Sequence, residues 1–175
     1  MSISLGLIDS QSVFIQGGEI LGTADIELPT IEMTTQEFQN SALAGKINVS
    51  STSQMEPMET IFNFQQINTE IKWAFNPGQL VSVEVLSAMP VLNYLFPNIS
   101  LSAQIVVFTG QWRKLDLGTR RAGEINEPSM VLNTWAIAFL DNGLPVMSID
   151  ALSPKFPIDI NGIPVGLATA LKNFI

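Results

Sequence analysis

The length, composition and charge of this 175-residue chain already exclude several classes of function. It contains no His and no Cys, so the commonest general bases, metal ligands and thiol nucleophiles are missing, and we expect neither catalysis nor a cofactor. The net charge of −8 argues against ordinary nucleic-acid binding, because Lys and Arg are needed to displace the counterions of phosphate. Only 14% of the residues are charged, against about 25% in typical soluble domains, which indicates a surface covered by partners, most simply by copies of the chain itself.

The chain has the length of one domain, and we predict a single domain over residues 1–175. Its first residues lack a basic segment and reach a charge at Asp9, so no signal peptide is predicted. The longest uncharged stretch, Val85–Trp112, is interrupted by Pro and Asn residues. We therefore expect strands there and no membrane insertion.

Strand patterns dominate the first part of the chain. Ser12–Gln16 is a short run of strand-forming residues closed by two glycines, as in a hairpin. From Ala24 the side chains alternate, which places Asp25 and Glu27 on a polar face opposite an apolar one. Thr30–Phe38 is predicted to continue in an extended conformation.

The next segment, Gln39–Glu56, is predicted to be a loop because its residues are mostly small and polar. It is long for a connection between strands, and unstructured loops of this length are usually functional.

Alternation resumes in Glu59–Gln66, where Phe62 and Phe64 oppose Asn63 and Gln65. The two polar residues are thus expected to share an environment outside the core.

One short helix and several strands complete the prediction. Asn68–Phe75 is the candidate helix, because Asn68 can cap it and an Asn-Pro-Gly sequence ends it. The tail from Val165 is a candidate for a second, terminal helix. The remaining strands, two of them long enough to be bent or bulged, are Gln79–Ala88, Ser100–Leu117, Met130–Leu140 and, after the turn Asp141–Gly143, Leu144–Ile149. The predicted fold class is all-β: a sandwich or barrel with one short helix between strands and long hairpin loops.

Basic residues cluster in the C-terminal half, at Arg113, Lys114, Arg120 and Arg121, around a turn. They fit either a solvated turn or a patch that pairs across subunits with the acidic N-terminal half. The tryptophans Trp73, Trp112 and Trp135 are expected to be core or interface anchors.

In their order and spacing, several short motifs together resemble the major tail tube proteins of contractile-tailed bacteriophages, a family shared with the tube subunits of R-type bacteriocins. The resemblance covers residues 13–66 and 108–175. The matching positions are Val13-Phe14-Ile15-Gln-Gly17, Ile26-Glu-Leu28-Pro29, Gly110, Lys114, Asp116, Gly118, Ala122-Gly123-Glu124, Asp141-Asn-Gly143, Ile149-Asp150, Ile160-Asn161-Gly162 and Asn173.

The resemblance implies a structural protein of the virion tail, assembled in the bacterial host cytoplasm. Its subunits would form hexameric rings, with strands pairing across subunits, and the rings would stack into a hollow tube. DNA would pass through without specific binding, and tail sheath, tape-measure protein and baseplate would be partners. The polar residues Asp25, Glu27, Asn63 and Gln65 are then candidates to face the lumen or a subunit boundary, or, for the two acids, an outer face under the sheath.

Contacts between subunits or rings are expected from the loop Gln39–Glu56, which by resemblance reaches the neighbouring ring, and from the basic group. The candidate residues are Ser41, Lys46, Ser53, Arg113, Lys114, Arg120 and Arg121. Two alternatives stay open at this point: the tube of a bacteriocin or other contractile injection system without DNA passage, and a monomeric β-sandwich that binds carbohydrate.

Overall fold

The fold is given by a computed structural model. It describes residues 2–4, 8, 10–15, 19–39, 45–65, 74–93, 98–119, 127–153, 158–161 and 163–165. The strands are β1 (Ser2–Ser4), β2 (Ser10–Ile15), β3 (Glu19–Glu27), β4 (Met33–Phe38), β5 (Ile47–Met55), β6 (Met58–Phe64), β7 (Leu80–Asn93), β8 (Asn98–Asp116), β9 (Ser129–Asp141), β10 (Leu144–Asp150), β11 (Ile158–Ile160) and β12 (Ile163–Val165).

Six of these strands close into an antiparallel barrel in the order β7-β2-β3-β6-β9-β8, and β8 returns to β7. The predicted all-β class is therefore confirmed, with a barrel as its form. The strands β10, β11 and β12 extend the sheet from β9, while β1 pairs with the far end of β7. Two long strands tie the barrel together, because β8 pairs with β7 along one edge and with β9 along the other.

Aromatic side chains fill the barrel. Phe62 lies at the centre of this cluster, with edge-to-face contacts to Phe108 and Trp112 at ring-centroid distances of 5.7 and 5.6 Å. Phe64 stacks beside Phe62 at 6.4 Å, and all four rings are almost fully buried. This cluster confirms the inward face predicted for Phe62 and Phe64 and the core position of Trp112. Such rings bury the largest apolar areas and dominate the stability of a core.

The register between β8 and β9 shifts twice, between Thr109 and Gly110 and again between Trp112 and Lys114. Such bulges bend a strand and increase its twist, and long strands need them to follow a barrel wall. At the first bulge the two backbones come very close, since a Cβ added to Gly110 would lie 2.0 Å from the carbonyl oxygen of Asn133. Glycine at this position is thus a requirement of the bulge.

The turn between β9 and β10 also follows the prediction. Asn142 and Gly143 both have positive φ, at 49° and 79°. Two consecutive left-handed residues define the type I′ turn that matches the twist of a hairpin, and Asn-Gly is the preferred sequence for it.

The predicted loop Gln39–Glu56 is wrong in its second half, because Ile47–Met55 forms strand β5, whereas residues 40–44 lie outside the described part of the chain. This strand pairs with β4 in a separate two-stranded sheet, so the segment contains the second strand of a long hairpin. Its polar residues are typical of loops, but Ile47–Ser50 and Met55 pair with β4, and such pairing satisfies backbone groups whatever the side chains are.

Two predicted elements lie largely outside the described residues: the helix Asn68–Phe75, except for its last two residues, and the terminal helix after Val165. In the described part of the chain, no helix has the length and apolarity needed to cross a membrane.

Candidate assembly surfaces

The outer surface of the barrel has two walls of opposite character. The first, called the polar wall, lies on β3, β6 and the adjoining halves of β9 and β8. Cross-strand registers place its residues in three rows, which are Asp25–Asn63–Ser129–Asp116, Glu27–Ile61–Val131–Lys114 and Glu59–Asn133–Gln111. Because alternate residues share a face, all side chains in these rows point away from the aromatic core.

The four predicted polar residues all lie on this wall, and the structure brings them together. Asp25 is directly opposite Asn63 in the ladder, and the Asn63 amide donates a hydrogen bond to Glu27 Oε1 at 3.0 Å. The Thr23 hydroxyl donates to Gln65 Oε1 at 3.4 Å. Asp25, Glu27 and Gln65 are exposed and Asn63 is half-buried, as the alternation predicted.

A shallow groove borders this wall where β2 and β3 separate. Pairing between these strands stops at Ser12 and Thr23, although β2 begins at Ser10 and β3 continues to Glu27. The resulting groove of about 480 Å³ is lined by Thr23, Asp25 and Gln65 among others. Two of the four predicted residues, Asp25 and Gln65, therefore line this groove.

The basic residues of the polar wall find acidic partners within the same chain. Arg113 donates two hydrogen bonds to the carboxylate of Glu59, at 2.5 and 3.0 Å. Lys114 lies 3.4 Å from Asp116, and Lys46 lies 2.7 Å from Glu37 in the hairpin. Since these pairs are exposed to solvent, which screens them, each contributes little to stability. Arg113 therefore pairs with an acid of its own subunit, whereas the patch was predicted to pair across subunits, and that pairing stays a prediction.

The turn after β8 lowers the pKa of one acid. The backbone N–H of Gly118 donates to Asp116 Oδ1 at 3.0 Å, and the Lys114 ammonium is close by. Both favour the ionised carboxylate, so the pKa of Asp116 is lower than its usual value. With Asp25, Glu27 and Glu59, this acid gives the polar wall a negative balance against Arg113 and Lys114.

The second surface, called the apolar wall, lies on the opposite side of the barrel, on β2, β7 and the other halves of β8 and β9. Registers place two rows across it, Ile20–Phe14–Glu84–Val107–Ala138 and Ser12–Leu86–Ile105–Leu140. Ile20 is 56% exposed and Leu86 41% exposed. Contiguous exposed apolar surface on a soluble domain usually marks an interface.

The hairpin of β4 and β5, called the arm, is also two-faced. Phe38 and Ile47 are directly opposite each other, with Gln36 and Val49 as the next pair on the same face. Its apolar residues Phe38, Ile47 and Val49 are each about half exposed, at 50, 48 and 46%. The other face carries Thr35, Glu37, Asn48 and Ser50.

The structure describes only some of the remaining predicted contact residues, and their contacts between subunits stay predictions. Lys46 is exposed at the start of β5, and Ser53 lies within β5. Ser41, Arg120 and Arg121 lie outside the described residues, as does Trp73, whereas Trp135 is half-buried.

The sequence analysis predicted neither the apolar wall nor the apolar face of the arm. The apolar run Ile105–Phe108 could have indicated the apolar wall, because a strand with apolar side chains on both faces is usually buried on both faces.

A two-walled, closed antiparallel barrel with a projecting hairpin is an arrangement suited to assembly from identical subunits. The family model for Phage tail tube protein FII matches residues 7–162, so the chain belongs to this family of phage tail tube proteins. This confirms the resemblance to tail tube proteins and identifies a structural component of the virion tail that self-assembles into a tube. No curated protein matches the chain. The family supports the assembly hypotheses over the carbohydrate-binding one.

Proposed function

We propose that this chain is a non-enzymatic subunit that forms hexameric rings, which stack into the hollow tube of a contractile phage tail and conduct DNA during ejection. The observation that carries the proposal is the opposition of the polar and apolar walls on a barrel of the tail tube family. A subunit of a hollow tube needs one wetted surface and at least one surface covered by neighbours.

The polar wall is proposed to line the channel. Asp25 and Glu27 are exposed and make no ion pair among the described residues, so they present negative charge. A negative, hydroxyl- and amide-rich lining repels phosphate and lets DNA slide, because no counterions are released by contact. Placement of the same wall under a sheath would leave the channel to another surface.

The arm is proposed to reach the neighbouring ring. It forms a two-stranded sheet separate from the barrel sheet, and isolated hairpins are only marginally stable in water. Contact with a neighbour would supply the missing burial. By the same resemblance, tail sheath, tape-measure protein and baseplate are proposed partners, with assembly in the bacterial cytoplasm.

The test is the oligomeric state of the purified protein. Size-exclusion chromatography and negative-stain electron microscopy should show rings with six-fold symmetry or tubes with a stain-filled channel. A protein that remains monomeric at all concentrations and in the presence of pre-formed tail components would refute the proposal.

A further inference from the structure

A bulge places two positive charges side by side on the polar wall. Arg113 lies between the pairs Trp112–Leu132 and Lys114–Val131, where the register of β8 and β9 shifts, so it is the extra residue of that bulge. Consecutive strand residues normally alternate between faces, but here Arg113 and Lys114 are both exposed, while Trp112 is buried. Two adjacent cations therefore lie on the surface that is proposed to meet DNA.

Exposed cations conflict with a lining along which DNA slides. Lys and Arg that contact phosphates release the counterions of DNA, and this release supplies most of the sequence-independent affinity of DNA-binding proteins. A channel wall with free cations would hold the DNA that it has to conduct. The two charges are compatible with the proposed conduit only if fixed acids neutralise them.

Each of the two cations has a carboxylate beside it. Arg113 donates two hydrogen bonds to Glu59, one to each carboxylate oxygen, in the bidentate arrangement that suits a guanidinium. The strands of these two residues, β6 and β8, lie on either side of β9, so the Arg113 side chain crosses a whole strand to reach this acid. Lys114 Nζ lies 3.4 Å from Asp116 Oδ2. A phosphate that approached either cation would meet a negative charge already in place.

The backbone holds the second of these acids in its position. The N–H of Gly118 donates to Asp116 Oδ1 at 3.0 Å, while the other carboxylate oxygen faces Lys114. The hydrogen bond from Gly118 and the charge of Lys114 both lower the pKa of Asp116. The carboxylate therefore stays ionised and directed at the ammonium group.

We infer that Glu59 and Asp116 act as fixed counter-ions, which keep Arg113 and Lys114 from binding the phosphates of DNA that passes along the polar wall. This inference rests on the proposed function and names two residues that determine whether the wall binds DNA. The unpaired acids of the wall repel phosphate, whereas Glu59 and Asp116 cancel cations. Contact of DNA with either pair then brings repulsion and little counterion release.

Neutral substitutions separate the two kinds of acid. Glu59→Gln removes the carboxylate that pairs with Arg113, whereas the matched control Glu27→Gln removes a wall carboxylate that pairs with no described cation. Tubes of each variant are mixed with a short labelled DNA duplex and sedimented at increasing salt concentration. At low salt, Glu59→Gln tubes should retain about tenfold or more DNA than unsubstituted tubes, and should release it as the salt concentration rises. Glu27→Gln tubes should retain no more DNA than unsubstituted tubes.

A second change tests whether the freed cation holds the DNA. In the Glu59→Gln variant, the additional change Arg113→Gln should abolish retention, which general damage to the tube would not allow. Asp116→Asn keeps an acceptor for the N–H of Gly118 and should retain DNA through Lys114, again in a salt-dependent way.

Two results would contradict the inference, and they differ in what they mean for the tube. If Glu59→Gln retains no more DNA than Glu27→Gln, while tubes with Lys at both Asp25 and Glu27 do retain it, the wall lines the channel and the counter-ion role is wrong. If tubes with these two lysines retain no DNA either, the wall lies outside the channel, and the proposed lining fails together with the inference.

Discussion

Gly110→Ala tests whether the bulge between β8 and β9 depends on the absence of a side chain. A Cβ at this position would meet three backbone atoms: Asn133 O at 2.0 Å, Asn133 C at 2.9 Å and Thr134 Cα at 3.1 Å. Since all three belong to the backbone, no rotamer change can relieve the clash. The β8 and β9 backbones must move apart.

The size of this movement gives the expected cost. Real Cβ contacts are essentially never shorter than 3.0 Å, so the gap must widen by about 1 Å at least. A shift of this size lengthens N–H···O contacts from about 2.9 Å to about 3.9 Å, which is beyond hydrogen-bonding range. Loss of one or two buried ladder bonds, at about 1–3 kcal/mol each, predicts destabilisation of about 3 kcal/mol. For a domain of this size the midpoint of thermal unfolding should fall by roughly 6–12 °C.

Urea denaturation followed by Trp fluorescence measures the change, at two protein concentrations to exclude an effect of assembly. Gly45→Ala is the matched control, because no atom lies within 4 Å of its added Cβ and its φ is not in the left-handed range. The control should change stability by no more than about 0.5 kcal/mol. If Gly110→Ala is as stable as the control, the close approach of the two backbones is wrong.

Three further predictions concern single interactions. Thr134→Val should lower the free energy of unfolding, measured by urea denaturation, by about 1–3 kcal/mol. The buried Thr60 hydroxyl lies 2.7 Å from Thr134 Oγ1 and would lose this hydrogen-bond partner. The double variant with Thr60→Val should recover most of the loss. Lys114→Met should raise the pKa of Asp116 towards its usual value, as measured by NMR titration of the carboxyl carbon. Because the pKa of Asp116 is lower in the folded state, this acid stabilises the fold at a pH above its unfolded pKa. That stabilisation is lost as the pH falls through the folded-state pKa. Replacing Asp25 and Glu27 together by Lys should leave the fold intact, because substitutions at exposed positions cost little stability. Tubes of this variant should retain DNA in a salt-dependent way. Unchanged DNA passage would place these residues away from the channel.

The faces of individual strands were predictable from the sequence, and their neighbours were not. Period-two alternation assigned Asp25 and Glu27 to the exposed face and Phe62 and Phe64 to the core, because one face of each strand is buried. Alternation contains no information about which strand lies alongside. The closure of the barrel depends on pairs such as β2 with β7, which are distant in sequence, so it could not be derived from local patterns.

The failure at β5 has a different cause. The stretch Asn48–Gln54 is rich in Ser, Thr and Asn, which favour turns when considered locally. In the fold, β4 pairs with Ile47–Ser50 and, beyond a register shift, with Met55, and strand formation in the paired part depends on pairing more than on the side chains. Exposure of most of this strand explains why no strong alternation marked it.

The sequence did not show which acidic residues the basic residues contact; the fold shows this for Arg113. The uneven distribution of charge suggested a basic patch that pairs across subunits with the acidic N-terminal half, but the contact that the structure gives, between Arg113 and Glu59, lies within one subunit. The contact is internal because β6 and β8 lie on either side of β9, which brings both side chains onto the polar wall. Sequence alone could not distinguish this ion pair from one between subunits.

Closure of the barrel limits how subunits can join by strand pairing. Each of the six barrel strands already has a partner on both edges, apart from short stretches such as the groove between β2 and β3. Within the described part of the chain, the edges left for pairing across subunits belong mainly to β1, to the arm and to β12 at the end of the extension from β9. All of these lie at the periphery of the barrel. A ring built by strand pairing would therefore use these outlying strands as connectors, while the two walls, fixed by the rigid barrel, would determine which surface meets water and which meets another subunit.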